Sequence, residues 1–167
     1  MSARTLKAKG FTLVEILIVV VILGILAAIV IPQFTSASEA AKASSVVTQL
    51  QTLRSQIELY QIQHNGDHPT LANFWDQMTE ETNVDGSTTI ATGEQTYGPY
   101  LQKESINPFE DSSALLAAGA ADSGWQYDED TGEIKAIIEL QKAIDTNLVD
   151  SDATAGDSDP DFFTYSE

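Results

Sequence analysis

An uninterrupted apolar segment near the N-terminus limits what this chain can fold into more than any other feature. No side chain from Ile16 to Ile31 is polar, and Phe11 to Pro32 would be about 33 Å long as an α-helix, enough to span a membrane. Basic residues precede the segment without any accompanying acid, so we expect a cytoplasmic N-terminus and translocation of the rest of the chain. These basic residues are Arg4, Lys7 and Lys9.

Glu15 lies within the N-terminal end of the apolar run. A carboxylate in a membrane costs several kcal/mol unless it is neutralised, so we interpret Glu15 as a functional residue. Cleavage after Gly10 would create a cation, the α-amino group of Phe11, on the helix face that carries Glu15. The two groups can then pair within one chain or between neighbouring chains. The sequence therefore predicts that Glu15 contributes to assembly.

Two other interpretations of the segment fit less well. A secretory signal peptide would be cleaved near Ser36–Ser38, but the apolar run is long for such a peptide and no clean A-x-A site follows it. A plain single-span anchor would have no reason to carry Glu15.

The charge of the chain disfavours one class of partner. The sequence has 25 acidic and 8 basic residues, a net charge of −17, and loss of residues 1–10 would leave 5 basic residues and a net charge of −20. Such a surface repels phosphates, so nucleic-acid binding is disfavoured, whereas divalent cations are attracted. The chain has no cysteine, so a small exported head must be held by its core or by metal rather than by a disulfide.

A long helix is predicted from Phe11 to about His64. Apolar residues recur at three- and four-residue steps beyond Pro32, and Asn65–Gly66 is a stop signal. Gly24 and Pro32 weaken a helix, so the stretch between them is expected to be helical in lipid but able to extend in a filament. The predicted apolar stripe comprises Ala40, Ala43, Val46, Val47, Leu50, Leu53, Ile57, Leu59, Tyr60 and Ile62.

Residues 66–167 are expected to form a small head. Alternating apolar residues around an acidic turn predict a β-hairpin over Trp125–Ile137. A short helix capped by Thr70 is predicted to run through Met78, and Ala114–Ala121 is either a helical turn or a loop.

The C-terminal part is less regular. Glu139–Leu148 is predicted as a short helix or an irregular extension, and residues 150–161 as a solvated tail or loop. Phe162, Phe163 and Tyr165 form an aromatic cluster that we expect to dock back on the head.

The residues Lys9-Gly10-Phe11-Thr12-Leu13-Val14-Glu15, followed directly by the apolar run, resemble the leader and cleavage motif of type IV pilins and type II secretion pseudopilins. The resemblance implies that residues 1–10 are a leader, that a prepilin peptidase cleaves Gly10–Phe11 and N-methylates Phe11, and that Glu15 sets filament register. It also implies an α+β, pilin-like fold. In that fold a long N-terminal helix, residues 11–65 with 11–32 in the membrane or filament core, packs on a small antiparallel β-sheet in the head.

A second block resembles the major pseudopilin, because Gly98-Pro99-Tyr100-Leu101, Asn107-Pro108-Phe109 and the Trp125 hairpin follow the helix in that order. This favours a filament subunit of a type II secretion-like system over a pilin of a type IV pilus for adhesion, motility or DNA uptake. The implied partners are the peptidase, further copies of the chain, minor pseudopilins and an inner-membrane assembly platform. The implied location is the bacterial inner membrane with a periplasmic head, and then a periplasmic or surface filament.

No pattern for catalysis is present, so we expect no enzyme activity. His64 and His68 are interpreted as part of a surface turn rather than as a metal pair. The resemblance to major pseudopilins implies calcium binding near the hairpin, with the alternative that the acidic segment only solubilises the chain. A rival of another class is a membrane-anchored module that binds calcium or polysaccharide, for which Glu15 would be dispensable. The candidate calcium ligands are Asp128, Asp130, Asp150, Asp152 and Asp157.

Overall fold

The computed structural model describes residues 10–117, 123–155 and 161–165. The chain divides into two compact units, Met1–Ser38 and Glu39–Glu167. The elements in chain order are helix α1 (Leu13–Gln63), a 3₁₀-helix (Leu71–Asn73), helix α2 (Phe74–Thr79), strands β1 (Leu115–Leu116), β2 (Trp125–Tyr127) and β3 (Ile134–Glu139), helix α3 (Leu140–Asp145) and strand β4 (Phe162–Tyr165). A long helix followed by a small sheet confirms the α+β fold class.

In the first unit, α1 continues through Gly24 and Pro32 without interruption. The hydroxyl groups of Thr35 and Ser36 donate to the carbonyl oxygens of Ile31 and Pro32, each over 3.1 Å. These bonds lie in the turn after Pro32 and do not replace the bond that Pro32, which has no N–H, cannot donate to the carbonyl oxygen of Ala28. The stretch that was predicted to be helical in lipid is therefore helical here.

In the second unit, α1 contributes one face to the core of the head. The predicted stripe was too wide, because Leu59 is partly exposed, Ile62 is 78% exposed and Ala40 is also exposed. These three residues lie outside the arc of the helix that faces the sheet. The helix residues that are buried are Ala43, Val46, Leu50, Leu53, Ile57 and Tyr60.

The four strands form one mixed sheet in the order β1-β2-β3-β4. β2 and β3 pair antiparallel, with Trp125 opposite Ala136 and Tyr127 opposite Ile134, which confirms the predicted hairpin. β1 pairs with β2 and β4 pairs with β3 in parallel. The prediction of a wholly antiparallel sheet is therefore wrong for the two outer strands. Both reach the hairpin through connections longer than a tight turn, which allows parallel pairing.

The two outer strands were predicted unequally well. Leu115–Leu116 was expected in a helical turn or loop, but forms β1, and residues 118–121 of that expected segment lie outside the described residues. β4 confirms the expected docking on the head for Phe162, which pairs with Ala136 and is buried.

The short helices lie close to their predicted positions, but the predicted cap is wrong. Thr70 precedes the 3₁₀-helix without capping it through its side chain. The side-chain oxygen of Gln77 instead accepts from the backbone N–H of Thr70 at 2.7 Å. α3 lies within the stretch Glu139–Leu148 that was predicted as a short helix or an extension.

An apolar cluster holds the head together. Side chains from α1 and α2 pack there on the inner face of the sheet, around the fully buried rings of Trp125 and Tyr127. The phenol of Tyr127 donates to the carbonyl oxygen of Pro69 at 2.8 Å, and the Trp125 indole donates to that of Ser105 at 2.9 Å. The buried polar ends of both rings are thus satisfied, as burial requires.

Candidate processing and assembly site

Thr12 and Glu15 form a reciprocal pair at the start of α1. The backbone N–H and the hydroxyl of Thr12 both donate to Oε2 of Glu15 at 2.8 Å, and the backbone N–H of Glu15 donates to the Thr12 hydroxyl at 3.2 Å. This is a capping box, in which an N-cap Thr and a Glu three residues later satisfy each other's unpaired backbone donors. The sequence signals this role through the pattern T-x-x-E before an apolar run, but the role was not predicted.

In the capping box, Thr12 supplies hydrogen bonds to the Glu15 carboxylate as long as the bond between Gly10 and Phe11 is uncleaved. The nitrogen of Phe11 is then an amide and carries no charge. The predicted pairing of Glu15 with the α-amino group of Phe11 applies only after cleavage, and it stays a prediction.

Gly10 and Phe11 precede the first helical residue, Leu13. Both residues are exposed, Phe11 to 82%, and no atom lies within 4 Å of the position that a Cβ on Gly10 would take. The bond between them therefore lies in exposed chain, outside the helix. None of the described residues requires glycine at position 10, so a requirement for a small residue would come from an enzyme.

The first unit leaves its apolar side chains uncovered. From Leu13 to Phe34 all the large hydrophobic residues are more than half exposed. Among the described residues, α1 is the one helix long and apolar enough to cross a membrane, judged by length and composition. Such a surface is not stable in water, and it needs lipid or other apolar helices around it.

The candidate calcium ligands that the structure describes, Asp128, Asp130, Asp150 and Asp152, are not brought into a cluster. Oδ1 of Asp128 accepts from the backbone N–H groups of Asp130 and Thr131, at 2.9 and 3.4 Å, and so caps the turn of the hairpin. Asp150 and Asp152 are exposed, and Asp157 lies outside the described residues. Within the part of the chain that is described, no three His, Asp or Glu residues are grouped to hold a metal, so these residues alone do not fit a calcium site.

His64 was predicted in a surface turn, and this prediction is wrong. The residue is 1% exposed, and its two ring nitrogens lie 2.8 Å from the Tyr60 carbonyl oxygen and 2.9 Å from the Thr82 hydroxyl. The side chain is therefore held by the core of the head. His68 is partly exposed and lies against Gly132.

The N-terminal segment matches a known family model. Residues 5–31 match the prokaryotic N-terminal methylation motif. The matched range includes both Gly10–Phe11 and Glu15.

Several relatives are named type II secretion system core protein G. The chain is 42% identical over 122 residues to the protein of that name from Pseudomonas aeruginosa, an alignment that covers 68% of this chain and 76% of the relative. The Aeromonas hydrophila protein is 28% identical over 115 residues, with the same coverage of the two chains. The match to the Dickeya chrysanthemi protein is 39% identical over 64 residues and spans 41% of that relative, less than half its length.

No solved structure matches the chain. The extent of the alignment to the Pseudomonas aeruginosa relative, together with the methylation motif and the helix-and-sheet fold, is sufficient to assign the family. The chain belongs to the type II secretion system core protein G family, the major pseudopilins.

Proposed function

We propose that this chain is the filament-forming subunit of a type II secretion system. In this proposal the chain is cleaved between Gly10 and Phe11, N-methylated at Phe11 and polymerised through α1 to drive protein export. The observation that carries the proposal is the exposed apolar surface of α1 next to an exposed Gly10–Phe11 bond, with one carboxylate, Glu15, at its start. Burial of an apolar side chain of this size is worth about 1.5–3 kcal/mol, so a column of them strongly favours packing.

Glu15 supplies what the apolar surface lacks, which is a fixed register. Apolar helices can slide along one another with little change in free energy, whereas a buried carboxylate must meet a cation. Lys42 is the first basic residue after Gly10, about 40 Å up the helix from Glu15. The α-amino group of Phe11 that cleavage creates is the cation within reach, and in a filament it is provided by a neighbouring copy.

The partners follow from the same chemistry. A prepilin peptidase acts on the Gly10–Phe11 bond, and further copies, minor pseudopilins and an inner-membrane platform take part in assembly. The chain begins in the inner membrane with its head in the periplasm and ends in a periplasmic or surface filament. The chain has a structural role and no catalytic one, in line with relatives that are named as secretion-system proteins.

Calcium binding stays a prediction for the acidic C-terminal segment. Asp157, which would complete the set of carboxylates, lies outside the described residues. If calcium binds, a chelator should lower the melting temperature of the chain and calcium should restore it. A hundredfold excess of ligand over Kd stabilises by about 2.7 kcal/mol. An unchanged transition would leave the segment as a solubilising tail.

Processing provides the test of the proposed function. The mature protein, isolated from cells that express a prepilin peptidase, should have a mass that corresponds to methylated Phe11 as its first residue. Gly10→Trp should keep the leader attached, whereas the matched control Gly10→Ala should still be cleaved. Cleavage near Ser38, or a chain that keeps residues 1–10 in the presence of the peptidase, would overturn the proposal.

A further inference from the structure

The C-terminal part of the head carries negative charge without any basic residue of its own. After Lys142 the sequence contains seven acidic residues and no Lys, Arg or His. The rest of the head is acidic as well, and like charges repel one another across its surface. The return of this segment to the sheet as β4 is therefore favoured at a point where it meets a cation.

Arg54 of α1 is the cation at that point. Its Nη1 donates to Oδ1 of Asp161 at 2.6 Å, and its Nη2 donates to the carbonyl oxygen of Ile134 at 3.0 Å. Asp161 directly precedes β4, and Ile134 is the first residue of β3. One guanidinium group of the helix thus contacts the starts of two neighbouring parallel strands.

The backbone strengthens the same junction. The N–H of Ala136 donates to the carbonyl oxygen of Asp161 at 3.1 Å. Phe162, which follows Asp161, pairs with Ala136 and is buried. Asp161 is therefore held by Arg54 through its side chain and by β3 through its main chain, and detachment of β4 would break both contacts.

The chemistry of arginine suits this junction. A guanidinium group has several N–H donors in a planar fork and can reach two separate acceptors, whereas a lysine ammonium group is a single point charge. The side chains of Arg54 and Asp161 are 35% and 48% exposed, so solvent screens the ion pair and its contribution is modest. Loss of the pair should therefore loosen β4 locally rather than unfold the whole head.

The described carboxylates at and near this junction already have partners within the chain. Oδ1 of Asp161 accepts from Arg54, and Oδ1 of Asp128 accepts from backbone N–H groups in the turn of the hairpin. In the ranges 10–117, 123–155 and 161–165, no three His, Asp or Glu side chains are grouped to hold a metal ion. The cation that β4 meets is thus supplied by the helix and not taken from solution.

We propose that Arg54 is a positioning residue that fastens the C-terminal strand to α1, so that β4 stays in the sheet without calcium. The resemblance to major pseudopilins implies a calcium ion near the hairpin, and the contacts of Arg54 make such an ion dispensable for the attachment of β4. The inference goes beyond the proposed function, because it concerns contacts within one head and can be measured on the single chain in detergent.

Hydrogen exchange of the Ala136 amide, followed by NMR on the full chain in detergent, reports directly on the detachment of β4. Arg54→Gln and Asp161→Asn should each speed this exchange about fivefold. Because the two changes remove one shared contact, the double variant should also exchange about fivefold faster, and not about twenty-fivefold. Arg54→Lys, which keeps the charge but loses the fork, should lie between wild type and Arg54→Gln.

Lys142→Gln is the matched control, because it removes the same charge from the ion pair of Lys142 with Glu139. It should change the exchange of Ala136 by less than about twofold. Equal exchange rates in Arg54→Gln and Lys142→Gln, or effects that multiply in the double variant, would overturn the proposal.

Chelation tests the independence from calcium and needs no substitution. In the wild-type chain, the exchange of Ala136 should be the same within about twofold in excess chelator and in calcium at millimolar concentration. Faster exchange in chelator, reversed by calcium and equal to that of Arg54→Gln, would show that a divalent ion fastens β4 and would overturn the proposal. Neither measurement requires cleavage at Gly10 or a filament, so failure of the proposed function would be seen separately, in the mass of the mature chain.

Discussion

The ring of His64 stacks on the ring of Tyr60 at the end of α1, with centroids 3.7 Å apart and planes 5° from parallel. Because a carbonyl oxygen can only accept, Nδ1 of His64 donates to the Tyr60 carbonyl and Nε2 accepts from the Thr82 hydroxyl. The rings of Tyr97 and Tyr100 lie 5.5 and 6.1 Å from the imidazole. This cluster joins the end of the helix to the loop that follows α2.

We expect His64→Ala to lower the free energy of unfolding by about 3 kcal/mol, because it removes two buried hydrogen bonds and leaves a cavity. Thr82→Val removes only the hydroxyl partner and should cost about 1 kcal/mol. His68→Ala, a change at a partly exposed ring, is the control and should cost less than about 1 kcal/mol. Urea unfolding of the full chain in detergent measures all three. Equal midpoints for His64→Ala and His68→Ala would show that the cluster does not stabilise the head.

Glu15 caps α1 and, in the proposed function, pairs with a neighbour's amine, and substitutions can separate the two roles. Glutamine at this position keeps the capping box with Thr12 but removes the charge. Glu15→Gln and Glu15→Leu should therefore both leave membrane insertion intact and sharply reduce filament yield. The reduction is expected because the neighbour's amine loses its partner, and breaking a buried ion pair costs about 3–5 kcal/mol.

Thr12→Ala is the matched control for capping. It removes the Thr12 hydroxyl and should cost about 1 kcal/mol of helix stability, with little loss of filaments. Filament yield is measured in a strain that lacks the wild-type subunit. A normal yield from Glu15→Gln would assign Glu15 to capping alone.

The amide of Asn107 links a loop to the sheet. Its Nδ2 donates to the carbonyl oxygens of Gly124 at 2.8 Å and of Ile137 at 2.7 Å, and the residue is fully buried. Asn107→Asp keeps the shape but turns the donor into a carboxylate that faces two carbonyls. At pH 7 we expect a loss of about 2–4 kcal/mol relative to wild type, measured by urea unfolding.

The penalty of Asn107→Asp should depend on pH. Burial and the two carbonyls raise the pKa of the new carboxyl group in the folded state above about 4. The protonated carboxyl group can still donate one hydrogen bond. The free energy of unfolding that the variant retains is therefore highest below about pH 4, and it falls as the pH rises and the carboxyl group ionises. Asn147→Asp, at an exposed position, should change stability by less than about 0.5 kcal/mol at either pH. A penalty for Asn107→Asp that is the same at pH 4 and pH 7 would contradict this account.

Burial raises the pKa of the Tyr60 phenol to about 12, with further contributions from Tyr100 and Asp67, and burial also raises the pKa of Tyr127. Folding favours the neutral phenol, so this stabilisation is complete below about pH 10 and is lost as the pH rises through about 12. An alkaline titration followed by phenolate absorbance should show a late step that Tyr60→Phe diminishes and that Tyr60→Phe together with Tyr127→Phe diminishes further. The urea-unfolded chain should lack that step, and its presence there would rule out burial as the cause.

The sequence was informative where a pattern is local. The hairpin around Gly132 and the helix end at Asn65–Gly66 follow from turn residues and alternation, and both are present. β1 was missed because two leucines carry no alternation, and they become a strand only through parallel pairing with Trp125 and Gln126. His64 was misplaced because its burial depends on Thr82, eighteen positions along the chain.

At the processing and assembly site, local pattern again decided what was predictable. Gly10, Phe11 and Glu15 were predicted from a contiguous motif, and residues 5–31, which include them, match a family model. The capping role of Glu15 is equally local, through Thr12, but the apolar surroundings directed attention to charge pairing.

The order of strands in the sheet also bears on how safely these heads can be crowded. The outer strands are β1, of two residues, and β4, of four. An exposed strand edge is a template for pairing with another chain, and proteins limit that hazard by keeping edge strands short. Filament subunits are held at high local concentration, so long edges would invite strand exchange and amyloid-like aggregation. With edges this short, neighbouring heads can meet through side chains while each backbone stays paired within its own molecule.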